Sequence, residues 1–225
     1  MPKWRHPAFK PLVFRTVMYD FPANIGTSRH ENDIIAALVR LQRIGLPDNP
    51  IAFYGSSSFR IWGSVAEDLG SLDIVNLGFG GGTYLSARHY MHQLLVPLKP
   101  NRVVLYFGEN DIASDGLKAQ TSLRHLHDLR DGIYRALPQA DVFVVAIKHS
   151  PARWIYRHEF DLFNQMARDW CNGSERTTWL DPNAGLIGEN GLPMFRYYLP
   201  DLVHLNAAGY AVWSEALRKT LGLHN

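Results

Sequence analysis

Ile51-Ala52-Phe53-Tyr54-Gly55-Ser56-Ser57-Ser58 decides how this chain is read. Four apolar residues stop at a glycine, and three hydroxyl side chains come next. A short apolar run that ends this way reads as a buried strand closing in a tight turn. Such a turn can hold a serine hydroxyl at the end of a sheet, within reach of a substrate. Small residues at strand ends are ordinarily loop chemistry, so the serines gain weight only from three segments farther along the chain. Those are Gly78-Phe79-Gly80-Gly81-Gly82, Gly108-Glu109-Asn110-Asp111 and Asp201-Leu202-Val203-His204, in that order.

Working outward, strands and helices alternate. Ile51–Tyr54, Asp73–Asn76, Val103–Phe107, Val142–Ile147 and Thr177–Leu180 are short and mostly apolar, which suits strands buried on both faces. Helical stretches lie between them at about Trp62–Leu69, Tyr84–Leu95, Leu117–Leu137 and Trp154–Trp170, and Ala207–Leu221 forms a last helix. Upstream, Ile34, Ile35, Leu38, Leu41 and Ile44 repeat at helical spacing, and the Gly45–Pro50 stretch ends that helix. Residues 1 to about 28, rich in Pro and aromatics without a period, read as an arm packed on the domain. Repeated strand–helix units imply a single three-layer α/β domain: a mostly parallel, flavodoxin-like five-stranded sheet flanked by helices. Ligands in such folds sit beyond the carboxyl ends of the strands, and the Ser, Gly and Asn motifs fall just after strands one, two and three.

Composition narrows the function. With 225 residues the chain fits one domain able to bury roughly 70% of its unfolded surface. A net charge of +2 makes no electrostatic case for nucleic acid or an anionic membrane. No segment has the length or apolarity of a signal peptide or membrane span, so the expected location is cytoplasmic. Cys171 is the only cysteine, which rules out an intrachain disulfide, and it reads as an inert, partly buried thiol. His125 and His127 read as solvent-facing, with nothing nearby to complete a metal site; no metal or organic cofactor is expected. Arg124, Arg130 and Arg135 alternate with Asp128 and Asp131 as a solvated, salt-bridged face. Phe59, Trp62, Tyr84, Trp154 and Tyr197 are candidates for lining a pocket, with core packing the default for each.

The motifs carry complementary chemistry. Asp201 and His204 are three residues apart, so one turn of backbone would put both on one side, the carboxylate fixing the imidazole tautomer. The plainer alternative is a pair that caps the following helix. A serine hydroxyl needs such a base to become a nucleophile. Ser56, Ser57 and Ser58 compete for that role, and composition does not choose among them. Phe59 breaks a Gly-x-Ser-x-Gly elbow. Glycines 78 and 80–82 let backbone N–H groups approach a developing oxyanion, and the Asn110 side-chain amide adds a donor without net charge. Asn110 or Asp111 could equally cap a helix. A dinucleotide fingerprint fails because its third glycine is Thr83 and no acidic residue ends the next strand.

These four segments, in this order, resemble the signature blocks of the GDSL-type SGNH hydrolase superfamily, from about Ile51 to Tyr210. The resemblance implies residues 50–225 as the catalytic domain, with residues 1–49 as an arm and helix packed on it. It implies Ser57 as nucleophile, with Asp201 and His204 completing a triad, and Ser57 N–H, Gly81 N–H and the Asn110 amide as oxyanion donors. The aspartate that usually precedes the nucleophile is replaced by Ser56, with activity expected to survive. Phe59-Arg60-x-Trp62 and Lys148-x-Ser150-Pro151 are similar to a bacterial branch of the family. The implied function is a serine esterase acting on a small-molecule or carbohydrate ester, with short-chain acyl or acetyl groups favoured. A carbohydrate deacetylase is the alternative, and a non-catalytic binding protein of the same fold is a third reading.

Overall fold

The computed structural model describes residues 30–44 and 47–223. The arm expected over residues 1–28 lies outside the described residues. Five strands, β1 (Ile51–Gly55), β2 (Ile74–Asn76), β3 (Arg102–Tyr106), β4 (Asp141–Val145) and β5 (Thr177–Leu180), form one sheet in the order β2-β1-β3-β4-β5. Every pairing is parallel; Ile51 stands beside Ile74 on one side and Arg102 on the other. The order reverses direction at β1, so the crevice between the carboxyl ends of β1 and β3 is where a ligand of this fold sits.

Alternation along each strand divides two cores. Ala52, Tyr54, Val103, Leu105, Val142 and Val144 face one side, while Ile51, Phe53, Val104, Tyr106 and Val145 face the other. The first side is covered by α1 (Glu31–Ile44), α4 (Tyr84–Leu94), α6 (Ala119–Ala136) and α7 (Arg157–Asn172). The second is covered by α2 (Ser57–Ile61), α3 (Val65–Leu69) and α8 (Ala207–Leu221). A short α5 (Glu109–Ala113) follows β3. In α1 the buried seam is Ile34, Ala37 and Leu41, whereas Ile35 of the expected stripe is exposed.

Some expectations need correction. The helix expected at Trp62–Leu69 is shortened to α3, which starts only at Val65, and the separate α2 that precedes it was not expected; Trp62 ends α2 at a non-helical ψ of 69°. Phe59, Trp62 and Tyr84 are core rather than pocket residues. The Trp62 ring stacks on Tyr210 with centroids 4.8 Å apart. His125 does not face solvent freely: its Nδ1 lies 3.9 Å from the buried Asp111. His127 stacks on Trp170 at 4.2 Å, and burial pushes its imidazole below the usual histidine range. Arg130 lies over the Trp170 and Tyr134 rings, so the charged stripe on α6 is only partly solvated. Cys171 is buried, and burial pushes its thiol up to about 12, as an inert thiol requires. Among the described residues no helix is long and apolar enough to cross a membrane.

Candidate active site

The four sequence segments converge at the carboxyl edge of β1 and β3. β1 ends at Gly55, and Ser56 N–H donates to the Tyr106 carbonyl across the sheet at 2.9 Å, so the chain stays in register until the turn into α2. Ser57 is the first residue of α2. Ser56 and Ser58, at 2% and 1% exposure, are buried, while Ser57 is partly exposed. Of the three serines, Ser57 is the one whose Oγ meets the imidazole, 2.8 Å from His204 Nε2.

On the other side of that ring, His204 Nδ1 lies 2.6 Å from Asp201 Oδ2. The carboxylate is pushed up by desolvation, but its bonds from the imidazole and from the His204 and Val203 N–H groups outweigh that and pull it down to about 2. A carboxylate only accepts, so Nδ1 carries the proton and a neutral ring leaves Nε2 free to accept from Ser57. The backbone between them is not the helical turn expected. Leu202 takes a left-handed φ of 56°, and Asp201 Oδ1 accepts from Val203 N–H at 2.9 Å and His204 N–H at 3.0 Å, folding the loop over its own carboxylate. The cap of α8 is Asn206, whose Oδ1 accepts from Gly209 N–H at 3.1 Å, so Asp201 and His204 are not spent as caps.

The glycine segment packs tightly under α2. A Cβ on Gly78 would fall 2.2 Å from Arg60 N, so only glycine lets the two backbones pass. Asn76, ending β2, donates to the Phe59 and Trp62 carbonyls at 2.7 and 3.0 Å and accepts from Gly78 N–H at 2.9 Å, which ties the end of α2 to this loop. Gly81 has a φ of 64°, a left-handed turn. Neither the Ser57 nor the Gly81 N–H reaches a backbone acceptor among the described residues. Asn110 Nδ2 donates to the Gly82 carbonyl at 3.0 Å, which brings the third segment against the second.

Asp111, not Asn110, serves as the cap. Its buried carboxylate accepts from Gly108 N–H at 3.1 Å and from Tyr84 N–H at 3.2 Å, joining the starts of α5 and α4. Burial pushes the Asp111 carboxyl up, partly opposed by His125. The Asn110 amide is thus free of capping duty.

One group was not read from the sequence. Beneath α2 and α5 lies a buried charge cluster. Glu109 Oε2 accepts from Lys148 Nζ at 2.7 Å and from Tyr106 OH at 2.8 Å, and its Oε1 lies 3.1 Å from an Arg153 nitrogen. Burial pushes the Glu109 carboxyl up, but the Lys148 and Arg153 charges more than reverse this and hold it below the usual glutamate range. Burial pushes the Lys148 ammonium down, against the pull of Glu109. The one local signal is a charged residue just beyond the apolar carboxyl-terminal stretches of β3 and β4, at 109 and 148.

Cavities of about 280 Å³ and 460 Å³ lie elsewhere, the first between the ends of β4 and β5 and α7, the second along α8; neither is lined by Ser57, Asn110 or His204. No cluster of three or more metal-ligating side chains occurs among the described residues.

Comparison with known proteins assigns the class first: this is a hydrolase of the three-layer α/β kind. The chain matches the family model of the GDSL-like Lipase/Acylhydrolase family over residues 45–212 and belongs to that family. A search of curated proteins finds no match. Among solved structures, a candidate platelet activating factor from Streptococcus pneumonia superposes with a TM-score of 0.75 at 20% identity, over 87% of this chain and 94% of that one. A GDSL-like lipase from Bacteroides thetaiotaomicron gives 0.69 at 15% identity, over 88% and 97%. A carbohydrate esterase family 3 protein from Talaromyces cellulolyticus gives 0.62 at 17% identity, over 77% and 96%.

Proposed function

We propose that the chain is a serine esterase that hydrolyses short-chain acyl or acetyl esters through an acyl-enzyme on Ser57. The observation that carries this reading is the unbroken contact from Ser57 Oγ through the imidazole to Asp201, 2.8 Å and then 2.6 Å, at the one partly exposed serine of the turn. Ser57 Oγ attacks the ester carbonyl, and its proton passes to His204 Nε2 as the Oγ–C bond forms. The carbonyl electron pair moves onto oxygen, where Ser57 N–H, Gly81 N–H and Asn110 Nδ2 are the donors. Asp201 stabilises the imidazolium. Collapse breaks the bond to the alcohol oxygen, which leaves with the His204 proton. Water then repeats the sequence on the acyl-enzyme, releasing the acid and restoring Ser57.

The test is reaction with a fluorophosphonate, followed by intact-mass analysis and peptide mapping, in wild type and in Ser56→Ala, Ser57→Ala and Ser58→Ala. One adduct on Ser57, lost only in Ser57→Ala, supports the reading. Labelling at another serine keeps the esterase and moves the nucleophile. Folded protein that takes no label overturns the serine mechanism in favour of a non-catalytic binding protein. A carbohydrate deacetylase is the second reading, supported by the structural likeness to a carbohydrate esterase. Acetylated sugars compared with aryl esters of increasing chain length separate the two.

A further inference from the structure

The two ends of the Asn110 amide face groups of opposite kind. Its Nδ2 donates to the Gly82 carbonyl at 3.0 Å, while its Oδ1 accepts from the Arg153 guanidinium at 3.1 Å and from Ser114 Oγ at 3.4 Å. A carbonyl can only accept and a guanidinium can only donate, so the chemistry of the neighbours fixes which way the amide points. One Nδ2 hydrogen is engaged by Gly82, and the second meets no acceptor among the described residues.

Arg153 is itself held. It lies in the 3₁₀ segment Pro151–Tyr156, one of its nitrogens is 3.1 Å from Glu109 Oε1, and the carboxylate is anchored below by Lys148. The same segment is stitched to the Asp201–His204 loop, because Ala152 N–H donates to the Leu202 carbonyl at 3.1 Å. One carboxylate, Glu109, stands between two cations, Lys148 and Arg153, and holds the Arg153 guanidinium behind Asn110. A charged donor on the amide oxygen polarises the amide and strengthens its N–H as a donor.

We propose that Arg153 is a positioning residue for the oxyanion site: it locks the Asn110 amide with its N–H toward the substrate and raises that donor's strength. The inference rests on the esterase reading above. Its effect belongs to the transition state, where the negative oxygen exists, and not to the ground-state ester.

Arg153→Met should lower kcat by about 10- to 100-fold with KM little changed, in protein that still folds and still labels at Ser57. An aryl boronate, which forms a tetrahedral adduct, should lose affinity in parallel with kcat/KM, and added guanidinium should restore part of the activity of Arg153→Ala. In an Asn110→Ala background Arg153→Met should cost little more, since the group it acts through is gone. If Arg153→Met does not fold, Arg153→Lys serves: an ammonium lacks the planar fork whose two nitrogens meet Glu109 and Asn110 separately, so kcat falls while KM holds. Unchanged kcat, or a full additional loss in the Asn110→Ala background, overturns the proposal. Wild type that neither labels nor hydrolyses esters overturns the esterase reading and this with it; active wild type with unaffected Arg153 variants overturns this alone.

Discussion

Two groups of charged side chains meet at Ser57 and Asn110, and they are built in opposite ways. The Asp201–His204 pair stands at the surface, with side chains 47% and 21% exposed. The Glu109–Lys148 pair is sealed, at 3% and 0%. The exposed pair stands where substrate and water can reach it, and under the proposed mechanism its imidazole takes up and gives back a proton in each half of the turnover. The sealed cluster never needs to change charge, and its burial keeps its field unscreened. Proton handling and fixed polarisation are thus divided between a wet half and a dry half.

That contrast can be broken by substitution. The largest effect is expected at the wet half and on activity: Ser57→Ala or His204→Ala should lower kcat by about 10⁴-fold or more while the melting temperature stays within a few degrees. Steady-state assays with an aryl acetate, alongside thermal melts, check both parts. At the dry half the effect moves to stability. Lys148→Met leaves Glu109 buried with half its charge partners and should destabilise the fold by about 3–5 kcal/mol, read by urea unfolding. Equal stability loss in His204→Ala and Lys148→Met would erase the distinction.

Asn110→Ala sits between the halves and should lower kcat by about 10²-fold and, since it leaves the Gly82 carbonyl and Arg153 without their partner, destabilise the fold by about 1–3 kcal/mol. The smallest effect concerns pH. Asp201 is held at about 2 in the folded protein against ~3.9 when unfolded. Its contribution to stability is therefore present above about pH 4 and is lost as pH falls toward 2. Because the carboxylate is nearly half exposed, the difference between wild type and Asp201→Asn should stay under about 1 kcal/mol at neutral pH and shrink as pH falls through about 2, measured by unfolding across that range.

The wet half was legible in the sequence because its residues lie where local patterns point, at the ends of apolar runs and in one Asp-x-x-His segment. The parallel sheet was legible from the same runs. The helices α2 and α5 were not legible, since five residues are too few to show a 3.6-residue period. The choice of Ser57 needed the resemblance, as three adjacent serines differ only in direction. The dry half was invisible for a different reason. Glu109, Lys148 and Arg153 come from the segments after two strands, and nothing local says that their charges are buried together. His125 and His127 misled because α6 looks polar, yet α6 packs its partly charged flank against α7 and α5.

Helix α1 grips the glycine loop from outside the sheet. Asp33 accepts from Gly80 N–H, and His30 Nδ1 lies 2.8 Å from the Gly80 carbonyl, so that glycine is clasped at both its polar groups by residues that precede the span matched by the family model. A helix held to the body along a single face detaches more readily than a central strand. Warming should therefore free the loop before the sheet melts, and the enzyme would lose turnover several degrees below its unfolding transition, recovering it on cooling. Asp33→Ala should widen that interval, giving a protein that is folded, intact and idle.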